Sequence, residues 1–260
     1  MRVLDQFSLD SRVAVVTGGA RGLGRQHALA LAEAGASVAL CDLLADEGQA
    51  TAAEVSAAGP GALFSRVDVT VPEQIDAFIA EVLARFGRID VLVNNAARPS
   101  EGCALGELSD ELWKQIIDTN LSSLFYVGKR VARPMRTAGR GSIINIASIN
   151  AFVISNIVPR YNAAYCVAKA GVANLTRAMA AQWAKDGIRV NALAPGYILT
   201  DQTAASARIP EVYERNVQAT PMGRYGRLDE LKGAIVFLAS DASSFMTGSI
   251  LTVDGGYTVW

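Results

Sequence analysis

Histidine is nearly absent from this chain, with one residue, His27, in 260. A Ser-His-Asp hydrolase would have to be built around that single imidazole. It lies inside a predicted helix that follows a glycine-rich turn, far in sequence from any candidate nucleophile, and a surface or helix-edge position is expected for it. Cysteine is scarce as well. Cys41, Cys103 and Cys166 are odd in number, widely spaced and without a C-x-x-C pair, which argues against a disulfide framework or zinc knuckle and for reduced, semi-buried side chains. No ligand cluster calls for a metal. Neither charge is in surplus, with 24 Lys+Arg against 25 Asp+Glu and a net charge of −1. No block of one sign exists that would track a phosphate backbone or an anionic bilayer, so neither nucleic acid nor membrane is an expected partner. No run approaches the roughly 20 apolar residues of a membrane span. The first ten residues, "MRVLDQFSLD", hold no apolar stretch of signal-peptide length, and a soluble, cytoplasmic protein is expected.

What the chain does have is apolar residues, 51% of the total, enough for a large core. Seven short β-rich runs, "RVAVVT", "SVALC", "ALFSRV", "IDVLVNN", "SIINIAS", "IRVNALA" and "SILTVD", alternate with segments of helical period at 22–34, 45–58, 72–86, 109–133 and 162–185. Most of the runs are apolar throughout rather than alternating. That is the pattern of parallel strands covered on both faces, and it predicts a doubly wound α/β fold: a seven-stranded parallel sheet flanked by helices. No linker, repeat or composition shift marks a second domain, so residues 1–260 are expected to form one.

The polar residues gather where such strands end. "TGGARGLG" follows the first strand and puts Gly18, Gly22 and Gly24 at the start of a helix. The spacing is not G-x-G-x-x-G, but the physical content is the same: a tight turn and a side-chain-free approach for a pyrophosphate to helix N-terminal N–H groups. The second strand ends at Asp42, 18 residues after Gly24, where a carboxylate either accepts hydrogen bonds from an adenosine ribose diol or caps its own turn. Asp68 closes the third strand. Asn94 and Asn95 close the fourth, and for Asn94 a structural role is preferred. Asn120 sits in "DTN" within an otherwise apolar helix, either bending it or held there as a positioned polar group. Ser148 ends the fifth strand, and Pro195, Gly196 and Thr200 follow the sixth in "APGYILT". Tyr165 and Lys169, four residues apart in "YCVAK", share one face of a helix.

In this order the motifs "TGGARGLG", "NNAA", "PGYILT" and "LTVDGGYT", with Asn120, Ser148, Tyr165 and Lys169, resemble the short-chain dehydrogenase/reductase family along nearly the whole chain. The resemblance implies a nicotinamide dinucleotide held by Gly18, Arg21, Gly22, Leu23, Gly24, Asp42, Leu43, Asp68, Val69, Asn95, Ala96, Tyr165, Lys169, Pro195, Gly196, Ile198 and Thr200. It also implies catalysis by Asn120, Ser148, Tyr165 and Lys169. Tyr165 would move the proton, Lys169 would lower the pKa of the phenol and hold the nicotinamide ribose, Ser148 would bind the reacting oxygen, and Asn120 would position a water between Lys169 and solvent. Two departures stand out: Ala97 where a glycine is usual, which shifts backbone near the ribose, and a Ser148-to-Tyr165 segment several residues longer than is common. NAD is the expected cofactor, because Asp42 repels the extra phosphate of NADP, although family members with a basic residue at the position of Arg21 often use NADP. Asn150, Ser155, Asn156, Arg160, Tyr161 and Asn162 suit a polyhydroxylated substrate. Of these Asn150, Asn156 and Arg160 join Ser148 and Tyr165 as the substrate-side residues, and the sequence looks most like polyol dehydrogenases of the family. Phe152, Val153, Ile154, Ile157 and Val158 keep an apolar alicyclic or steroid-like ketone open, and a dinucleotide-binding regulator without catalysis is a further alternative. Residues 200–216 are expected to form a lid. A homotetramer is implied by the family's C-terminal strand and supported by the apolar 109–133 helix and the terminal "YTVW".

Overall fold

The computed structural model describes residues 2–98, 105–154, 162–200, 203–204 and 207–260. Seven parallel strands form one sheet in the order β3-β2-β1-β4-β5-β6-β7. They are β1 (Val13–Thr17), β2 (Ser37–Asp42), β3 (Ala62–Arg66), β4 (Val91–Asn94), β5 (Gly141–Ile146), β6 (Ile188–Pro195) and β7 (Ile250–Val253). The order reverses direction at β1, which is flanked by β2 and β4, and ligands of open α/β sheets bind outside the strand ends at such a reversal. All seven expected strands are present.

Alternate residues of each strand serve opposite faces. Val13 and Val15 of β1 pack into one core with Phe78, Val82, Val131 and Met179, from α3 (Pro72–Phe86), α5 (Ser123–Ala138) and α6 (Ala163–Trp183). Ala14 and Val16 pack into a second with Ala28, Leu31, Val55 and Leu238, from α1 (Gly22–Glu33), α2 (Ala45–Ala58) and the helix Lys232–Ala239. This double burial is why the strands read as continuous apolar runs, and each fully buried Leu or Ile stabilises the fold by about 1.5–3 kcal/mol.

Two local expectations are corrected. His27 is not at a helix edge: it is wholly buried, neither ring nitrogen has a hydrogen-bond partner among the described residues, and burial pushes its pKa down to about 4. The small residues around it in α1 let the helix press close to the sheet, and that draws the imidazole inward. Secondly, the expected 109–133 helix is three pieces: α4 (Asp110–Ile117), a π-helical turn Asp118–Ser122, and α5, which continues past Pro134 to Gly139 in the left-handed region. Pro134 lacks an N–H, but Val131, Ala132 and Met135 are buried around it, and that packing carries the helix through. The stretch expected to be a lid includes most of the helix Pro210–Gln218, which starts at a proline in the first turn. Residues 201–202 and 205–206 lie outside the described residues.

Asn94 holds the framework together, as its strand-end position suggests. Its Nδ2 donates to Asn145 Oδ1 at 2.9 Å, Asn145 Nδ2 donates to Thr176 Oγ1 at 2.9 Å, and Thr176 Oγ1 donates to the Val172 carbonyl at 2.8 Å. This buried chain joins β4 and β5 to α6. Among the described residues no helix is long and apolar enough to cross a membrane.

Candidate active site

A cleft of about 910 Å³ opens along the carboxyl ends of the central strands. Its first wall is the turn between β1 and α1. Gly18 sits at φ +64°, and a Cβ at Gly24 would lie 1.9 Å from the Gly18 carbonyl oxygen, so the loop closes on itself only with glycine at both places. Asn95 fixes this loop from the end of β4: its Nδ2 donates to the carbonyls of Thr17 at 3.0 Å and Gly18 at 2.9 Å. Thr17 Oγ1 in turn accepts from the N–H groups of Asn95 and Ala96. Arg21, at the N-cap of α1, makes no side-chain capping bond, which leaves the first-turn N–H groups facing the cleft. Asp42 caps its own turn and also faces the cleft. Its carboxylate accepts from Ala20 N–H at 3.0 Å and Leu44 N–H at 3.2 Å, and it lines the cleft with lone pairs left over for a diol.

Every residue expected on the cofactor side lines this cleft: Gly18, Arg21, Gly22, Leu23, Gly24, Asp42, Leu43, Asp68, Val69, Asn95, Ala96, Tyr165, Lys169, Pro195, Gly196, Ile198 and Thr200. Ala97 lines it too. Ser148 joins them from the end of β5. Tyr165 and Lys169 stand one turn apart on α6. The Lys169 ammonium lies over the Tyr165 ring, 5.5 Å from its centroid, and donates to the Ile146 carbonyl at 2.7 Å. Lys169 is buried and Tyr165 half-buried, and loss of water disfavours the charged form of each. The lysine falls to about 8. The phenol rises to about 12, against the opposing hydrogen bond from Ser148. Among the protein's own groups, loss of water is the largest influence on the phenol and raises it; the expected lowering by Lys169 is one that acts together with a cationic nicotinamide.

Two expected residues do not line the cleft. Asn120, fully buried in the π-helical turn, is committed to one backbone unit: its Oδ1 accepts from Arg98 N–H at 2.7 Å and its Nδ2 donates to the Arg98 carbonyl at 3.0 Å. Asn150 touches the site through its backbone N–H, which donates to Ser148 Oγ at 3.2 Å, while its own buried Oδ1 has no partner among the described residues. Asn156 and Arg160, with Ser155 and Tyr161, lie outside the described residues, as does Cys103. Cys41 and Cys166 are free thiols and more deeply buried than expected. Sequence reasoning missed Arg98, Gln115, Asp118 and Thr203 on the cleft wall. Arg98 had a signal, four residues beyond Asn94 at a strand end. Among the described residues no cluster of His, Cys, Asp or Glu could hold a metal ion.

Comparison with known proteins agrees with this geometry. A family model described as enoyl-(acyl carrier protein) reductase matches residues 18–258. Galactitol 2-dehydrogenase (L-tagatose-forming) of Cereibacter sphaeroides is 39% identical, with 98% of both chains covered. Cis-4-hydroxycyclohexanecarboxylate dehydrogenase of Sinomonas cyclohexanicum is 43% identical over 95% of this chain and 96% of its own. The crystal structure of a gluconate 5-dehydrogenase from Burkholderia cenocepacia, in complex with NADP and tartrate, superposes with a TM-score of 0.93 at 39% identity over the full length of both chains. The chain belongs to the short-chain dehydrogenase/reductase family and is an oxidoreductase acting on CH–OH groups.

Proposed function

We propose that this protein is an NAD-dependent dehydrogenase that reversibly oxidises a secondary alcohol of a polyhydroxylated molecule, a sugar alcohol or sugar-derived hydroxyl, to the ketone. One observation carries the reading: Ser148, Tyr165 and Lys169 meet in a cleft whose other end is a glycine loop that a single Cβ would block. That loop fits a dinucleotide pyrophosphate, and when bound the nicotinamide supplies the hydride chemistry. The protein's own residues do the rest. Ser148 holds the reacting oxygen, Tyr165 takes its proton in oxidation and returns it in reduction, Lys169 holds the ribose, and Asn120 fixes the backbone at Arg98. The names of the relatives, a galactitol and a gluconate dehydrogenase, agree with such a substrate. Cofactor reduction against a panel of sugar alcohols and sugar acids tests the reading, and no turnover with any of them overturns it. A second reading, an alicyclic alcohol, is favoured by exposed Phe152 and Ile154 shortly after Ser148 and by the hydroxycyclohexanecarboxylate relative.

The choice of NAD rests on Asp42. Two backbone N–H groups hold its carboxylate in place, so it cannot swing aside for the NADP phosphate. A unit charge pair at ~4 Å costs about 4 kcal/mol at an effective dielectric of 20. Arg21 is exposed and offsets part of this. We expect kcat/KM to favour NAD at least ~10-fold, about 1.4 kcal/mol, and Asp42→Ala to narrow or reverse that ratio. A wild-type preference for NADP, the cofactor held by the Burkholderia relative, would show that Arg21 governs the pocket.

One domain carries both cofactor and substrate in this reading, and the enzyme works in the cytoplasm as a homotetramer. Exposed Trp113 and Phe125 on α4 and α5, with Val259 and Trp260 at the end of the chain, are apolar surface that subunit contacts would cover. Light scattering at micromolar concentration is expected to give four times the chain mass. A monomer would refute the assembly.

A further inference from the structure

One charged side chain on the cleft wall has no task in the chemistry above. The basic residues there are Arg21, Arg98 and Lys169, and the acidic ones Asp42, Asp68 and Asp118. Each carboxylate is already met from within the protein: Asp42 by Ala20 and Leu44, Asp68 by the N–H and hydroxyl of Thr70, Asp118 by Lys114 at 2.5 Å. Lys169 is engaged with the Ile146 carbonyl. Arg21 follows Ala20, whose N–H Asp42 holds, and so belongs to the β1–β2 half of the cleft. Among the described residues the guanidiniums of Arg21 and Arg98 both lack a carboxylate within ion-pair distance and a hydrogen-bond acceptor, and of the two only Arg98 follows β4, on the side of the cleft that Ser148 enters.

Its place is set by the sheet. Asn94 of β4 is in register with Asn145 of β5. Arg98 comes four residues after the one and Ser148 three after the other, so both leave neighbouring strand ends on the side where the alcohol must lie. Its backbone is fixed as well. Asn120 grips both its N–H and its carbonyl, and the turn carrying Asn120 packs on α6, where a Cβ at Gly171 would come within 2.7 Å of Leu121. The base of Arg98 is thus fixed relative to the helix that carries Tyr165 and Lys169, while its side chain is exposed. A guanidinium on a fixed backbone, free of internal partners, is pre-organised for an anion and matches a carboxylate with two parallel bonds.

We propose that Arg98 reads a carboxylate on the substrate, so that the molecule oxidised is a polyhydroxylated acid rather than a neutral polyol; this rests on reading the site as a secondary-alcohol dehydrogenase. A carboxylate fits better than a phosphate. One uncommitted guanidinium on the β4–β5 side of the cleft balances one negative charge, not two. Arg98 acts in specificity, orienting the far end of the substrate so that the reacting hydroxyl meets Ser148 and Tyr165.

The test compares four- to six-carbon aldonates with their matched alditols and sugar phosphates, using NAD and NADP, on wild type and Arg98→Gln. Wild type is expected to favour an aldonate over its alditol, and Arg98→Gln to lower that preference ~30-fold, with Arg98→Lys between them. The wild-type KM for the acid should also rise with salt, while that for the alditol does not. A measurement on wild type alone covers the case of a variant that does not fold: tartrate should compete with the alcohol substrate and its diamide should not. A wild-type preference for the alditol or the sugar phosphate, a ratio unmoved in Arg98→Gln, or equal inhibition by tartrate and diamide overturns the role of Arg98 and leaves the dehydrogenase reading intact. No turnover of any of these compounds with either cofactor overturns that reading and this inference with it.

Discussion

Tyr165→Phe is expected to retain about one part in a thousand of the wild-type kcat/KM while binding the dinucleotide with unchanged affinity. The substitution removes one hydroxyl and leaves the ring, α6 and Lys169 in place, so what is lost is proton transfer, a contribution of 10²–10⁴ in positioned acid–base catalysis. Ser148 cannot take over, because a serine hydroxyl is neither a strong enough acid nor base near neutrality. The pH dependence gives a second readout. Burial pushes the phenol up to about 12, so at pH 7 it is protonated, the form that donates to a carbonyl. Alcohol oxidation needs the phenolate, and its kcat/KM should climb with pH through the alkaline range, a climb that Tyr165→Phe abolishes. Steady-state rates in both directions and a dinucleotide titration check this. Activity above a few per cent, or an alkaline rise that persists, would remove Tyr165 from the role of proton carrier.

Much of this site was legible because its residues lie where backbone geometry speaks through sequence. A parallel strand buried on both faces must be apolar to its end, so Asp42, Asn95 and Ser148 stand out at the point where each strand meets the cleft. The glycine turn was legible for a similar reason, since Gly18 and Gly24 answer to a steric limit that no other residue meets. What escaped were consequences of packing. His27 reads as polar, yet the close approach of α1 to the sheet buries it without partners, and nothing in a periodic pattern encodes that. The π-helical turn at Asp118–Ser122 hides inside an ordinary helical period. It turns Asn120 toward the Arg98 backbone, a contact 22 residues away in sequence that no local spacing announces. Arg98 offered only its place near a strand end, because an unpartnered guanidinium is visible only once the partners of its neighbours have been found.

Lys169→Met is expected to cost activity and add stability, opposite signs from one substitution. The activity falls ~10²-fold or more, because Met has similar reach but no donor for the ribose and no charge beside the phenol. The stability rises because the wild-type ammonium is buried over an aromatic ring with one carbonyl for a partner. Burial moves its pKa from 10.5 to about 8. At pH 7, below both values, lysine is charged in the folded and the unfolded chain, and the folded state carries the whole penalty, about 3 kcal/mol. Losing the bond to the Ile146 carbonyl returns about 1–2 kcal/mol of that, so a net gain of about 1–2 kcal/mol remains, a rise of roughly 2–8 °C in Tm without cofactor. The window is set by the same two values. Between pH 8 and 10.5 the unfolded lysine holds a proton that the folded one has lost, so wild-type stability should increase with pH there relative to the variant, and the advantage of Met should vanish and then reverse, because the bond to the Ile146 carbonyl remains. Thermal melts at pH 7 and across that window decide the matter. A variant that melts below wild type at pH 7, or a stability difference that does not change with pH, would mean that Lys169 is held in the fold by a partner that repays its burial, and that the site is not strained in favour of its chemistry.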